Sequence, residues 1–269
     1  VISEINYRNE WNGANTACIK ILFFIDGILR NNRCYGVPGL NNVHGIWLDW
    51  GAQNARATGN LIVDFGRARG LDLEIDEGPT VVDNNIIINS QVCSSSNGAI
   101  FVHNLFYNHD IYTHKDGRKF SPYFLPHSSK LAGTTATRLL HNRWYNNIFI
   151  GGKAVEYFQM ELPGNADIIS DYNVYLDGAH PFTPVGTQFS GEGSNSIIDS
   201  TKTGIEFQVK GDSAILNFTF SNSALQMTNP LITSQSIGKV PLTNMFMEEP
   251  DGTPRNITSD YYGNPITPD

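Results

Sequence analysis

Basic residues are scarce in this chain. Its 18 Lys and Arg stand against 26 Asp and Glu, giving a net charge of −8 over 269 residues. That balance argues against nucleic acid or an anionic lipid surface as a partner. Long apolar runs are missing as well, and none approaches the roughly 18 residues that a membrane span needs. The three cysteines, Cys18, Cys34 and Cys93, are too few and too odd in number for a disulfide framework. None has metal-ligand spacing, so all three read as buried or inert thiols, and no metal or cofactor is expected. Helical periodicity is absent throughout. Val1 opens the chain with neither Met nor a basic stretch. That reads as a processed chain or a piece of a longer one and leaves the compartment unread.

What the chain does have is a returning dipeptide that ends in Asn: Asn31-Asn32, Gly59-Asn60, Asn84-Asn85, His103-Asn104, Asn146-Asn147 and Tyr172-Asn173. Apart from the first, each is followed at once by an apolar residue. The second members lie 28, 25, 19, 43 and 26 residues apart. The 43 is close to two periods and spans a polar insertion from His109 to Leu140. Short strand-like segments repeating at a period in the twenties signal a solenoid. Asn at one place in every coil suggests a ladder at a turn, where its side chain bonds nearby backbone. The reading is all-β: a right-handed parallel β-helix over residues 1–182, with last coils and a β-rich extension over 183–269.

The stretch from Gly45 to Pro79 carries the candidate chemistry. Ile46-Trp47-Leu48-Asp49-Trp50 and Leu71-Asp72-Leu73-Glu74-Ile75 share one alternation, with large apolar residues at i, i+2 and i+4. The residues between them project to the opposite face, as the two-residue period of a strand requires. Asp49 and Glu74 fall on that face, 25 residues apart, the separation also found between Asn60 and Asn85. Adjacent parallel strands would stack them about 4.8 Å apart. A carboxyl pair separated by about 5–5.5 Å is the arrangement of a retaining glycosidase. An ordinary pair of solvated surface acids is the other reading. Trp47 shares the outward face and is a candidate to stack on a sugar ring, or else to be covered by the insertion. Lys20 faces the same way one coil earlier and is placed to pair with Asp49. Asp72 and Asp76 face outward by parity and read as solvated charge.

Within the insertion, Ile111 to Leu131 is rich in His, aromatic, Pro and Gly residues. Loops of that kind leave rigid scaffolds to build binding sites, which makes His114, Tyr123 and His127 candidates to line a pocket. Beyond Pro181 the Asn rhythm stops. Gly204 to Val209 and Ser213 to Phe220 alternate as strands, with Lys210-Gly211-Asp212 as the turn of a hairpin.

Five strings, GIWLDWGAQ (Gly45 to Gln53), EIDEGP (Glu74 to Pro79), PYFLPHS (Pro122 to Ser128), YNNIF (Tyr145 to Phe149) and EPDGTP (Glu249 to Pro254), occur in this order. Together they resemble the β-xylosidases of glycoside hydrolase family 120, over the C-terminal half of that family's longer chains. The resemblance implies a β-helix enzyme that cleaves xylo-oligosaccharides with retention, with Asp49 as nucleophile and Glu74 as acid/base. The chain departs from the pattern in two places. Glu77 stands where a His precedes the Gly-Pro, and Leu22 and Phe23 stand where a His-Glu pair is expected, so sugar recognition is where this chain should differ. Two rivals stay open. One is a polysaccharide lyase with Ca²⁺ held by Asp72, Glu74, Asp76 and Glu77 and with Lys20 as base. The other is a non-catalytic carbohydrate-binding solenoid. In each case the partner is an oligosaccharide, and a homo-oligomer is left open.

Overall fold

The structure, a computed structural model, describes the chain apart from residues 12–14, 41–42, 114–115, 137, 153–155, 158–165, 183, 185–188, 211–212, 221 and 267–269, and the side chains of 156–157. The returning dipeptide sets the architecture. Its first member is left-handed each time, with φ of 58° at Asn31, 63° at Gly59, 55° at Asn84, 56° at His103, 56° at Asn146 and 57° at Tyr172. Asn and Gly tolerate that region best, which is why they dominate the position. The turn sends the following Asn inward, and Asn60, Asn85, Asn104, Asn147 and Asn173 are all buried.

Each inward Asn satisfies its neighbours. From Asn60 on, its Oδ1 accepts the backbone N–H and the Nδ2–H of the Asn one rung earlier, at 2.9–3.0 Å. The second Nδ2 hydrogen goes to a main-chain carbonyl: Leu29, Ala57, Val82, Phe101 and Trp144 in turn. Ser196 takes the next place, its Oγ accepting the Asn173 N–H at 2.9 Å.

Strands on the two sides of this turn enter two different sheets. Before it lie Ile28–Arg30, Ala55–Thr58, Thr80–Asp83, Ala99–Val102, Arg143–Tyr145 and Ile169–Asp171, a six-stranded sheet. After it the chain joins an eleven-stranded sheet whose main path is Ala17–Leu22, His44–Asp49, Leu61–Glu74, Ile86–Ser94, Leu105–Tyr107, Ile148–Ile150, Val174–Leu176 and Ile197–Asp199. Pairing within both sheets is parallel among the described residues. Enclosed between them are Ile46, Leu48, Leu71, Leu73 and Val92, together with aromatic rings that stack rung on rung. Phe101 lies 3.8 Å from Trp144, Phe106 5.0 Å from Phe149, and Phe149 4.8 Å from Tyr175. Each such pair is worth about 0.5–1.5 kcal/mol beyond its burial.

Two expectations are corrected. Cys18 and Cys34 form a disulfide, with Cα atoms 6.2 Å apart. They lie on strands Ala17–Leu22 and Arg33–Tyr35, whose core-facing sides meet within one coil, a proximity that counting cysteines does not reveal. Cys93 is a buried thiol, and burial pushes its pKa well up. Helix is also present, among the described residues as two short segments, Asn222–Leu225 and Ser234–Ile237.

The insertion folds back as an antiparallel hairpin of Ser121–Phe124 and Leu131–Thr135. Asp110–Thr113 still pairs with the strand Ile86–Ser94, so the chain leaves the large sheet only after Thr113. Near the C-terminus, Glu206–Lys210 and Ser213–Asn217 pair antiparallel, with Phe207 opposite Leu216. These two side chains pack on Leu61, Val63 and Ile88 outside the large sheet.

Candidate active site

Three parallel strands put the candidate residues in two columns. One column reads Lys20, Trp47, Asp72 and the other Leu22, Asp49, Glu74. The residue after each member of the second column, Phe23, Trp50 and Ile75, has a positive φ of 51°, 52° and 61°. Left-handed backbone is uncommon in bulky residues and rarer still in a β-branched one. Here it repeats on three rungs and makes a corner that leaves Asp49 and Glu74 at the rim of a cleft.

The corner also ends the strand's parity. Asp76, expected on the solvated face, is fully buried; its Oδ1 accepts the Ala52 N–H at 3.0 Å, and burial pushes its pKa well above the ordinary carboxylate value. Glu77 is buried beside it and accepts from Asn97 Nδ2 at 2.5 Å. Asp72 does point outward but is covered, with Arg69 Nη1 at 2.7 Å and His44 Nδ1 at 3.3 Å. Both aspartates are therefore structural rather than solvated. The four acids Asp72, Glu74, Asp76 and Glu77 turn to different partners, and among the described residues no His, Cys, Asp and Glu cluster is arranged to hold a metal ion.

Asp49 and Glu74 line one open cleft of about 490 Å³ with Asn15, Lys20, His44, Trp47, Arg67, Ala68, Arg69 and Arg118. Each carboxylate is 14% exposed and has a cation of its own. Lys20 Nζ lies 2.7 Å from Asp49 Oδ2, and Arg118 Nη2 lies 2.9 Å from Glu74 Oε1. Asn15 Oδ1 accepts from Lys20 at 2.6 Å. Trp47 donates its indole N–H to Glu74 Oε2 at 3.0 Å.

Trp47 differs from expectation. Its ring is buried: the Lys20 ammonium sits 3.1 Å from the ring centroid, and His44 stacks on it at 4.2 Å. With its faces so occupied, Trp47 meets the cleft as a hydrogen-bond donor, not as an open platform for a sugar.

Tyr123 and His127 are not in the cleft lining. Tyr123 pairs with Gly133 within the insertion hairpin. His127 bridges Asp26 Oδ1 and Glu248 Oε2, each at 2.9 Å, tying the hairpin to a coil and to the C-terminal segment. His114 lies outside the described residues. The insertion does reach the site, through Arg118. That residue follows an Asp-Gly turn in which Asp116 Oδ1 accepts the Arg118 N–H at 2.8 Å. The hairpin behind it is held by Gln53, whose side chain bonds both the N–H and the carbonyl of Phe124 at 2.9 and 3.0 Å.

Arg67 and Arg69 were also unforeseen. They lie in a break within the strand Leu61–Glu74, where the register shifts between Val63 and Gly66 and again before Leu71. The string FGRARG, with Gly66 and Gly70 flanking two arginines, is the sequence signal of a bulge.

No family model matches this sequence, and a search of curated proteins gives no match. Among solved structures the chain is similar to XylC in complex with xylose, with a TM-score of 0.82 at 22% identity. The similarity covers 99% of this chain and 44% of that one, so this chain spans less than half of XylC's length. At that identity the likeness is one of fold.

Proposed function

We propose that this chain is a retaining glycoside hydrolase acting on xylo-oligosaccharides, built on a right-handed parallel β-helix. The observation that carries the reading is the register pair Asp49–Glu74 at the rim of one cleft. Neighbouring strands about 4.8 Å apart suit the separation that a retaining pair of carboxyls needs. Support also comes from the five strings shared with the family 120 β-xylosidases and from the fold shared with XylC, whose structure holds xylose.

In the first step Asp49 attacks the anomeric carbon while Glu74 gives its proton to the departing oxygen; in the second, Glu74 takes a proton from water, which releases the sugar. Lys20 orients Asp49 and offsets its charge. Trp47 fixes Glu74 through Oε2 and leaves Oε1 for the glycosidic oxygen. Arg118 bonds Oε1, so it moves aside when substrate enters; it is half-exposed on a loop and free to do so. Leu22 and Phe23, both exposed, border Asp49 with apolar surface on the preceding rung.

The test is hydrolysis of an aryl β-xyloside followed by proton NMR of the first-formed sugar. Release of β-xylose that later mutarotates is the expected result. Initial α-xylose would rule out the retaining assignment. Binding of xylo-oligosaccharides without turnover of any aryl glycoside would favour a non-catalytic solenoid.

A further inference from the structure

The cleft lining carries more cations than carboxylates. Four of the chain's 18 Lys and Arg (Lys20, Arg67, Arg69 and Arg118) line it, in a protein whose net charge is −8. Three of them have carboxylate partners inside the protein: Lys20 on Asp49, Arg118 on Glu74 and Arg69 on Asp72. Arg67 is exposed and makes no ion pair among the described residues. A guanidinium at a cleft mouth with no internal anion is placed to receive one from outside, and its planar fork matches a carboxylate in two parallel hydrogen bonds.

The backbone is shaped to put it there. Between Val63 and Leu71 the register of the ladder shifts twice, on either side of the Gly66–Ser90 pair, and Asp64, Gly66 and Arg69 adopt positive φ of 60°, 54° and 63°. The break packs only because its contacts are glycines: a Cβ on Gly45 would come 2.1 Å from the Gly70 carbonyl oxygen. Bulges of this kind re-aim side chains beside sites, at a cost in strain and lost pairing.

We propose that the site takes a sugar bearing a carboxylate, a uronic acid, and that Arg67 is the residue that selects it. The proposal rests on reading this cleft as the glycosidase site. The carboxylate could sit on the reacting ring, since a β-glucuronide is a β-xyloside carrying a carboxylate at C5, or on a branch of a neighbouring ring.

Binding separates this from the hydrolase reading, because free monosaccharides need no catalysis. The intact chain, titrated at low ionic strength, should bind glucuronic acid about tenfold more tightly than glucose. The preference should shrink as NaCl is added and disappear in Arg67→Gln, with the unfolding temperature unmoved. Turnover then locates the carboxylate: 4-nitrophenyl β-glucuronide against 4-nitrophenyl β-xyloside for the reacting ring, and a glucuronic-acid-branched against an unbranched xylo-oligosaccharide for its neighbour. Equal or undetectable binding of both monosaccharides, or a preference that survives in Arg67→Gln, would overturn the proposal. A binding preference without turnover of any of these substrates would sink the hydrolase reading and leave the uronate reading standing. Turnover of the unbranched xyloside with no preference for acid would do the reverse.

Discussion

Asp76 sits two residues beyond Glu74, past the left-handed corner, and its burial makes it a reporter of how that corner is held. Its native pKa is raised by burial, whereas the unfolded chain titrates near the usual value of about 3.9. The native state therefore binds this proton more tightly. That contribution to stability is complete below about pH 4 and drains away as pH rises toward the native value. Asp76→Asn keeps the acceptor for the Ala52 N–H and removes the titration. Unfolding temperatures measured from pH 4 to 8 should fall less steeply in this variant than in the wild type. His127 acts in a later window. Burial pulls its pKa down, but the hydrogen bond to Glu248 and the charge of Asp26 outweigh that and hold it above 6.5. Its tie is at full strength below about pH 6.5 and is lost as pH rises through the raised native value. His127→Gln should therefore flatten the stability profile above pH 6.5, as read by the unfolding midpoint. Tyr123 and His127 drew notice in the sequence because loops rich in His and aromatics build pockets. The insertion instead delivers Arg118, since the direction a loop takes is decided by its anchors, here Gln53 on Phe124, and not by its composition.

Among the elements, the asparagine ladder carries the most structure per residue. Removing one rung orphans several groups together. Asn104→Ala leaves the Asn85 N–H and one Asn85 Nδ2 hydrogen without partners in the buried interior and takes from the Val82 carbonyl its side-chain donor. Each orphan costs about 1–3 kcal/mol, so the loss should be at least about 2 kcal/mol, read from the denaturant midpoint at unchanged slope. A loss below about 1 kcal/mol would mean that the rungs stand without it. This element was legible in the sequence because both halves of the dipeptide are chemically marked, a residue that tolerates left-handed backbone followed by one whose amide bonds on both sides. The alternation around Asp49 and Glu74 was legible for a similar reason. What hid from sequence was whatever breaks a period: the Arg67 bulge, the parity change at Ile75 that buries Asp76, and the Cys18–Cys34 closure across one coil.

Over the whole molecule the net charge is −8, yet the cleft lining carries four cations and two carboxylates. An acidic protein gathers cations around two carboxylates, and its parallel sheet holds those carboxylates at paired positions on adjacent strands. The central claim is that Asp49 and Glu74 divide attack from protonation. Asp49→Ala and Glu74→Ala, each assayed on β-xylosides with good and poor leaving groups and with added azide, test it most directly. In Glu74→Ala, turnover of a poor leaving group should fall about 10²–10⁴-fold. The first step with a 2,4-dinitrophenyl leaving group should persist, and azide should yield β-xylosyl azide; Asp49→Ala should show no burst with any leaving group. Equal losses in both variants whatever the leaving group, with no azide adduct from Glu74→Ala, would contradict the account.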